Sequence, residues 1–342
     1  MLDRLLTPTI TPDWQEWMAD CLMMQVARED IEAFMVAQGF GQRQVQRHLL
    51  AMETHPFVLA GTKIARKMKR RDWLLDTYQR VMEQSGEFDE IEVRDTIDRQ
   101  TFYKHYFAVN RPVILKQQVK DWQILKRWTP QYFKTAYGDR QVQMVRMTED
   151  FHRYHHHCTM AEFVDVIESG PANDWYMSNA NIEHNDETLD DLFHETDKLP
   201  ELLDPEGFRN HGYVLLGPAG TITDLHYDLA NAFYVQIYGR KSFKVISPHY
   251  LDKVYPYRNF LSRVPLEDGV EGVDAQKFPL FKQAKVHEFV LEPGDAFFLP
   301  VGWWHWVEAL DTSISMSFPN FYTLQRYQQY WDIAGRHPLI DD

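Results

Sequence analysis

The chain has 342 residues, of which 44% are hydrophobic and 14% aromatic, so it carries enough apolar side chains for a sizeable core. This composition excludes an intrinsically disordered or a collagen-like chain. With 36 Lys and Arg against 50 Asp and Glu, the formal net charge is −14, which disfavours nucleic acid and anionic lipid and favours a basic peptide or a small molecule as partner.

Neither a membrane span nor a disulfide framework is predicted. No uninterrupted apolar run is long enough to cross a bilayer, and residues 1–6 are too few and too charged for a secretory signal. Cys21 and Cys158 are too few for a disulfide scaffold or a thiolate zinc site. We therefore predict a cytoplasmic protein with reduced cysteines and no membrane contact.

The first 90 residues have helical periodicity and form the first predicted domain. Three short helices begin near residues 11, 28 and 42, and Pro56 separates them from a longer helix over residues 57–84. Six basic residues fall within this long helix, and we favour a solvated helix face over a binding patch by roughly three to one. They are Lys63, Arg66, Lys67, Lys69, Arg70 and Arg71.

Residues 91–322 form the second predicted domain and are rich in short strands. Strands without intervening helices indicate an antiparallel sandwich or barrel. The predicted strands cover residues 111–115, 142–147, 213–216, 232–238, 242–246, 286–291, 296–299 and 313–318, with a capped helix over residues 159–167. Residues 323–342 contain an amphipathic helix over residues 324–334, which we expect to form a homodimer contact.

Two histidines and an aspartate are candidate metal ligands. Alternation along a strand places His226 and Asp228 on the same side, and His305 follows a rigid strand downstream. Two histidines and one carboxylate leave three positions open on ferrous iron for a cosubstrate and oxygen.

A second His-x-Asp pair, His184 and Asp186, lies in a polar stretch and is predicted to be loop. The histidine-rich tract at residues 152–157 is also predicted to be a solvated loop.

The ordered combination of these motifs resembles a known family. The turn Pro-Gly-Asp at residues 293–295, the strand after it, Pro300, Trp-Trp-His at residues 303–305 and the earlier His-Tyr-Asp at residues 226–228 resemble a JmjC-type, cupin-like oxygenase, with the closest likeness to factor-inhibiting-HIF-type hydroxylases. The likeness covers roughly residues 95–330. It implies an α+β fold with a double-stranded β-helix (a jelly-roll), and the cofactors Fe(II), 2-oxoglutarate and O2.

The same resemblance implies a cosubstrate site. The 2-oxoglutarate tail carboxylate would be held by Lys241, with the hydroxyls of Thr223 and Tyr176 beside it, and Asn320 would line the pocket. The chain departs from the pattern at one position, because Ala232 stands where hydroxylases of this type often have an asparagine.

The predicted function is hydroxylation of an unactivated C–H bond in a peptide or protein side chain. A free amino acid or another small molecule is an alternative substrate, demethylation also falls within the family, and a binding-only cupin is the rival outside enzymology. A three-histidine dioxygenase is disfavoured because its usual His-x-His start is absent here. Acidic side chains over residues 179–198 would suit a cationic peptide.

Overall fold

The computed structural model describes residues 8–86, 90–147, 153–173, 175–178, 185, 188–196, 199–206, 212–257 and 260–323. Two compact units are present, Met1–Val81 and Met82–Asp342. The division falls close to the predicted boundary near residue 90. The predicted terminal helix over residues 324–334, together with His184 and Asp186, lies outside the described residues.

The described residues of the first unit form four helices: α1 (Pro12–Met23), α2 (Arg28–Ala37), α3 (Gln42–Glu53) and α4 (Pro56–Ser85), of which α4 ends past Val81, the last residue of the unit. Proline in the first turn and Asp13 beside it favour the start of α1. The first three helices enclose a core of Ile10, Met18, Ile31, Met35, Phe40, Val45 and Leu49. The six basic residues at positions 63–71 of α4, which were predicted to form a solvated face, are all exposed.

The second unit contains helices on one side of two facing sheets. Its helices are α5 (Arg99–Phe102), α6 (Ile124–Arg127), α7 (Pro130–Ala136) and α8 (Met160–Glu168), with a π-helix at Tyr103–Phe107 and 3₁₀ turns at Asp190–Glu195, Pro248–Tyr250 and Phe281–Gln283.

Its strands, in chain order, are β1 (Glu92–Arg94), β2 (Val113–Leu115), β3 (Gln141–Met147), β4 (Arg153–Thr159), β5 (Met177–Ser178), β6 (Tyr213–Gly217), β7 (Ile222–Tyr227), β8 (Ala232–Tyr238), β9 (Lys241–Ile246), β10 (Pro256–Tyr257), β11 (Leu261–Ser262), β12 (Val286–Leu291), β13 (Ala296–Leu299), β14 (Trp304–Ala309) and β15 (Ser313–Phe318).

The strands form a seven-stranded sheet, in the order β1-β2-β13-β8-β15-β6-β5, and a six-stranded sheet, in the order β10-β11-β7-β14-β9-β12. Among the described strands, pairing is antiparallel except between β1 and β2. Side chains of both sheets meet in one interior cluster, which includes Tyr234, Phe243, Val245, Phe297 and Trp303. The outer face of the larger sheet packs on the helices. This is the predicted α+β jelly-roll, and its interior holds the site.

The predicted loop at residues 152–157 is wrong for its described part. Residues 153–159 form β4, which pairs with β3 over its full length in an antiparallel hairpin. Three consecutive histidines give no alternation of polar and apolar side chains, so hydrogen bonding to β3, and not hydrophobic pattern, determines this strand. The side chains of His155, His156 and His157 are nonetheless exposed.

Candidate metal and cosubstrate site

The three predicted metal ligands converge on the inner face of the smaller sheet. His226 on β7 and His305 on β14 are direct cross-strand partners, and Asp228 follows β7 by one residue. The Nε2 atoms of His226 and His305 lie 3.8 and 3.7 Å from the two carboxylate oxygens of Asp228. One ligand atom from each residue lies within 4.8 Å of the other two. Such a set can hold one ion.

Backbone carbonyls orient both imidazole rings. Nδ1 of His226 donates to the Asp224 carbonyl at 2.7 Å, and Nδ1 of His305 donates to the Trp303 carbonyl at 3.0 Å. A hydrogen bond at Nδ1 leaves the Nε2 lone pair free to bind a metal. Burial and the neighbouring His226 lower the pKa of His305 to about 4, although the Asp228 charge acts in the opposite direction. His305 is therefore neutral at physiological pH, which is the metal-binding form.

The donor set fits ferrous iron. Two imidazole nitrogens and one carboxylate on one side of an ion match the facial arrangement of non-haem iron oxygenases, which leaves coordination positions open. The Asp228 side chain is 50% exposed whereas that of His305 is 6% exposed. The carboxylate therefore lies towards the mouth of the barrel and the histidine lies inside it.

Lys241 provides the second part of the site. It is the first residue of β9, is buried, and donates from Nζ to the Tyr234 hydroxyl at 2.9 Å. Its Nζ lies 5.6 and 6.0 Å from the ring centroids of Tyr234 and Tyr176. Among the residues that the structure describes, no carboxylate pairs with this ammonium. A buried cation in such surroundings is stabilised by an anionic ligand, and a carboxylate of 2-oxoglutarate fits that requirement.

The two predicted hydroxyl donors are placed differently. The Tyr176 ring lies beside Lys241, and burial raises the pKa of Tyr176, so its hydroxyl stays protonated and can donate.

Thr223 is three residues before His226, and a regular strand would place the two on opposite faces. A register shift in the β7–β14 pairing instead puts Thr223 opposite Val307, while His226 remains opposite His305. Val307 packs on the interior cluster, so the bulge returns Thr223 to the ligand face.

Asn320 lies next to another segment of the chain. Its Nδ2 donates to the Asp204 carbonyl at 2.7 Å, and its own carbonyl accepts from the Asp204 backbone N–H. Its Oδ1 is buried without a partner in the described part of the chain. A role in the cosubstrate pocket stays a prediction for this residue.

Sequence reasoning missed Tyr234 and assigned no role to Asn231. Tyr234, the hydrogen-bond partner of Lys241, lies on β8 in the opposite sheet, and only alternation along β8 could have indicated that it faces inwards. Asn231 precedes the departure at Ala232. Its Oδ1 accepts a hydrogen bond from the Val301 N–H at 2.8 Å, so it contacts the loop before His305. Ala232 itself packs on the interior cluster.

A double-stranded β-helix with a His-x-Asp pair and a distant histidine on its inner face defines the cupin-like class of metal-dependent proteins. Comparison with known families agrees, since the cupin-like domain profile matches residues 99–324. The chain belongs to this family. The predicted class of JmjC-type oxygenases and its cofactors Fe(II), 2-oxoglutarate and O2 are confirmed. The finer likeness to factor-inhibiting-HIF-type hydroxylases stays a prediction.

Several curated relatives are similar to this chain. Lysine-specific demethylase 8 of Xenopus tropicalis is 32% identical over 222 residues, which is 64% of this chain and 49% of the relative. JmjC domain-containing protein D of Dictyostelium discoideum is 42% identical over 106 residues, 30% of this chain and 23% of that protein. The tRNA wybutosine-synthesizing protein 5 of Danio rerio is 25% identical over 251 residues, 67% of this chain and 74% of that protein. The match to the demethylase thus spans about half of its length.

The described helices of the second unit are short, and the long α4 carries many charges. Within the part of the chain that the structure describes, no helix is both long enough and apolar enough to cross a membrane.

Proposed function

We propose that this protein hydroxylates an unactivated C–H bond in a peptide or protein side chain. Bound iron, with 2-oxoglutarate and O2, would supply the oxidising chemistry, with release of succinate and CO2. The observation that carries the proposal is the occurrence of the His226, Asp228 and His305 cluster together with the buried Lys241, which pairs with no carboxylate among the described residues, inside one barrel.

Each residue has a defined part in this proposal. His226, Asp228 and His305 would hold the iron through two neutral imidazoles and one carboxylate. Lys241 would neutralise the tail carboxylate of 2-oxoglutarate, and Thr223 and Tyr176 would donate hydrogen bonds to it. Asn320 would line the pocket. Because Asp228 is half-exposed, substrate would approach the iron from the side of this carboxylate.

The substrate class is proposed from the relatives and from local charge. Proteins named lysine-specific demethylases act on a protein side chain, which supports a protein or peptide substrate here. A cationic peptide would suit the acidic stretch over residues 179–198. In its described part, Asp190 is exposed whereas Asp191 forms an ion pair with Arg140. Peptide binding that is insensitive to salt would contradict the cationic assignment.

The quaternary structure and the compartment are also part of the proposal. We propose a homodimer in the cytoplasm, with the dimer formed through residues 323–342. Light scattering should then give twice the mass of one chain, and removal of these residues should halve it. A monomeric mass for the full chain would contradict the dimer.

Anaerobic titration with Fe(II) and 2-oxoglutarate tests the site directly. The wild type should develop the visible charge-transfer band of an iron chelate, and Asp228→Ala should abolish it. Lys241→Ala should weaken 2-oxoglutarate binding while iron binding persists. Lys244→Ala is the matched control, because Lys244 is also buried on β9 but lies over the Trp306 ring, at 3.5 Å, outside the interior cluster. A folded wild type without a band would favour the binding-only cupin.

Mass spectrometry of candidate substrates distinguishes the reaction types. Peptides incubated with the enzyme, Fe(II), 2-oxoglutarate and O2 should gain one oxygen atom. Loss of a methyl group from methylated lysine or arginine peptides would instead show demethylation. Turnover confined to free amino acids would favour the small-molecule alternative.

A further inference from the structure

The loop that precedes His305 is held by two asparagines from distant parts of the chain. This loop, residues 300–303, joins β13 to β14 and is called the His305 loop below. The Val301 N–H donates to Asn231 Oδ1 at 2.8 Å, and the Val301 carbonyl accepts from Asn110 Nδ2 at 3.2 Å. Both backbone polar groups of one residue are thus satisfied by asparagine side chains.

The same loop has two further contacts with these segments. The Trp303 indole N–H donates to the Asn110 backbone carbonyl at 2.9 Å, and the Gly302 N–H donates to the Asp228 carbonyl at 3.1 Å. Gly302 has φ +79°, a left-handed conformation that favours glycine. The backbone of one metal-ligand candidate is therefore fixed to the loop that leads to another.

Asn110 suits its position for two independent reasons. It follows the π-helix in a left-handed conformation with φ +54°, which asparagine tolerates better than most residues. Its side chain and its carbonyl then both point to the His305 loop. Asn231 is almost fully buried, three residues after Asp228, which makes loss of its hydrogen bond costly.

The contacts continue directly to the metal-binding atom. The Trp303 carbonyl, at the end of the His305 loop, accepts the hydrogen bond from His305 Nδ1 and so sets the plane of the ring. The ring plane determines where Nε2 lies relative to Asp228, which is 3.7 Å away. A displaced Val301 or Trp303 would therefore rotate or shift the third ligand.

We propose that Asn231 and Asn110 are positioning residues that aim His305 at the metal through the His305 loop. Neither residue is among the metal ligands. The inference rests on the proposed function, because it assumes that His226, Asp228 and His305 hold an ion.

Cobalt(II) binding tests the inference, since the visible spectrum of the ion reports its coordination geometry independently of turnover. The variants are Asn231→Ala, which removes the acceptor for Val301, and Asn110→Gly, which removes the side-chain amide but keeps the left-handed backbone and the main-chain acceptor. Each should raise the Co(II) dissociation constant about tenfold and change the spectrum at saturation. Melting temperatures of the metal-free proteins are measured in parallel.

Asn185→Ala is the matched control. Asn185 is fully buried and bridges backbone groups of Gln143 and Ser178, neither of which is a metal-ligand candidate or part of the His305 loop. Its loss should lower the melting temperature and leave Co(II) affinity and spectrum unchanged. If Asn231→Ala fails to fold, Asn110→Gly still gives the answer. Variants that bind Co(II) with wild-type affinity and spectrum would overturn the positioning role alone. A folded wild type that binds no Co(II) would overturn the proposed function and this inference together.

Discussion

The Tyr234 hydroxyl accepts a hydrogen bond from the buried ammonium of Lys241 and can donate its own O–H hydrogen bond to a ligand carboxylate. We expect Tyr234→Phe to weaken 2-oxoglutarate binding by about tenfold to a hundredfold, because a hydrogen bond in a charged, buried site contributes roughly 1.5–3 kcal/mol. Iron binding should not change. Titration of 2-oxoglutarate into the Fe(II)-loaded protein measures the effect.

Tyr238→Phe is the control for that experiment. Tyr238 lies on the same strand, β8, but is 36% exposed and does not reach Lys241 in the described contacts. Its loss should leave the dissociation constant of 2-oxoglutarate unchanged. Equal affinity of Tyr234→Phe and the wild type would remove Tyr234 from the cosubstrate site.

Glu195 is a second residue whose surroundings determine its charge. Burial alone would raise its pKa, but hydrogen bonds from Tyr137, Trp128 and Tyr132 and the charge of Arg127 outweigh burial and lower it below the usual value. A lowered pKa in the folded state stabilises the protein above the unfolded-state pKa of about 4.3, and this stabilisation is lost as pH falls towards the folded-state pKa.

Glu195→Gln should therefore destabilise the protein in a pH-dependent way. At neutral pH we expect a loss of about 1–3 kcal/mol in the free energy of unfolding, because hydrogen bonds to a charged group become bonds to a neutral amide. Below about pH 4 the difference from the wild type should shrink. Urea unfolding at several pH values measures it, and a difference that does not vary with pH would refute the ionised role of Glu195.

The stability of helix α8 depends on the residue that caps its N-terminus, Thr159. Thr159 Oγ accepts from the Glu162 N–H at 3.2 Å while the Glu162 carboxylate accepts from the Thr159 N–H at 2.8 Å, a complete capping box. Thr159→Ala should lower the free energy of unfolding by about 1 kcal/mol. Urea denaturation measures the effect. The control variant is Thr135→Ala, which alters an exposed residue inside α7 that caps no helix end. Equal midpoints for the two variants would contradict the capping role.

Elements with a regular hydrophobic pattern were predictable from the sequence. The strands predicted at residues 232–238, 286–291, 296–299 and 313–318 match β8, β12, β13 and β15, because alternating or continuous apolar side chains face a core on at least one side. Strand β4 was not predictable, since its histidines have no such pattern and its pairing with β3 is a long-range property.

The candidate site was also predictable from the sequence only in part. The convergence of His226, Asp228 and His305 could be anticipated in part, because His226 and Asp228 are two residues apart at the end of one strand. The placement of Thr223 depends on a bulge in the β7–β14 register. The contact of Lys241 with Tyr234 depends on how two sheets face each other. Neither property is encoded in the local sequence pattern.

At the scale of the whole molecule, each of the two units has its own hydrophobic core. The core of the first unit consists of helix side chains such as Met35 and Val45, whereas the interior cluster of the second lies between its sheets. The candidate metal and cosubstrate residues all belong to the second unit. A ligand stabilises only the part of a protein whose native structure it binds, by RT ln(1 + [L]/Kd).

We therefore expect two thermal transitions, only one of which responds to ligand. Mn(II) with 2-oxoglutarate, used as a redox-stable substitute for the iron complex, should raise the transition of the second unit, by ~2.7 kcal/mol at a hundredfold excess over Kd. Met35→Ala should lower the other transition, because removing a buried methionine side chain costs about 2–5 kcal/mol. Differential scanning calorimetry of the wild type, Met35→Ala and Asp228→Ala assigns each transition to one unit. Asp228→Ala should keep both transitions, but neither should shift when Mn(II) and 2-oxoglutarate are added. A single transition that shifts as a whole on ligand addition would show that the two cores unfold together.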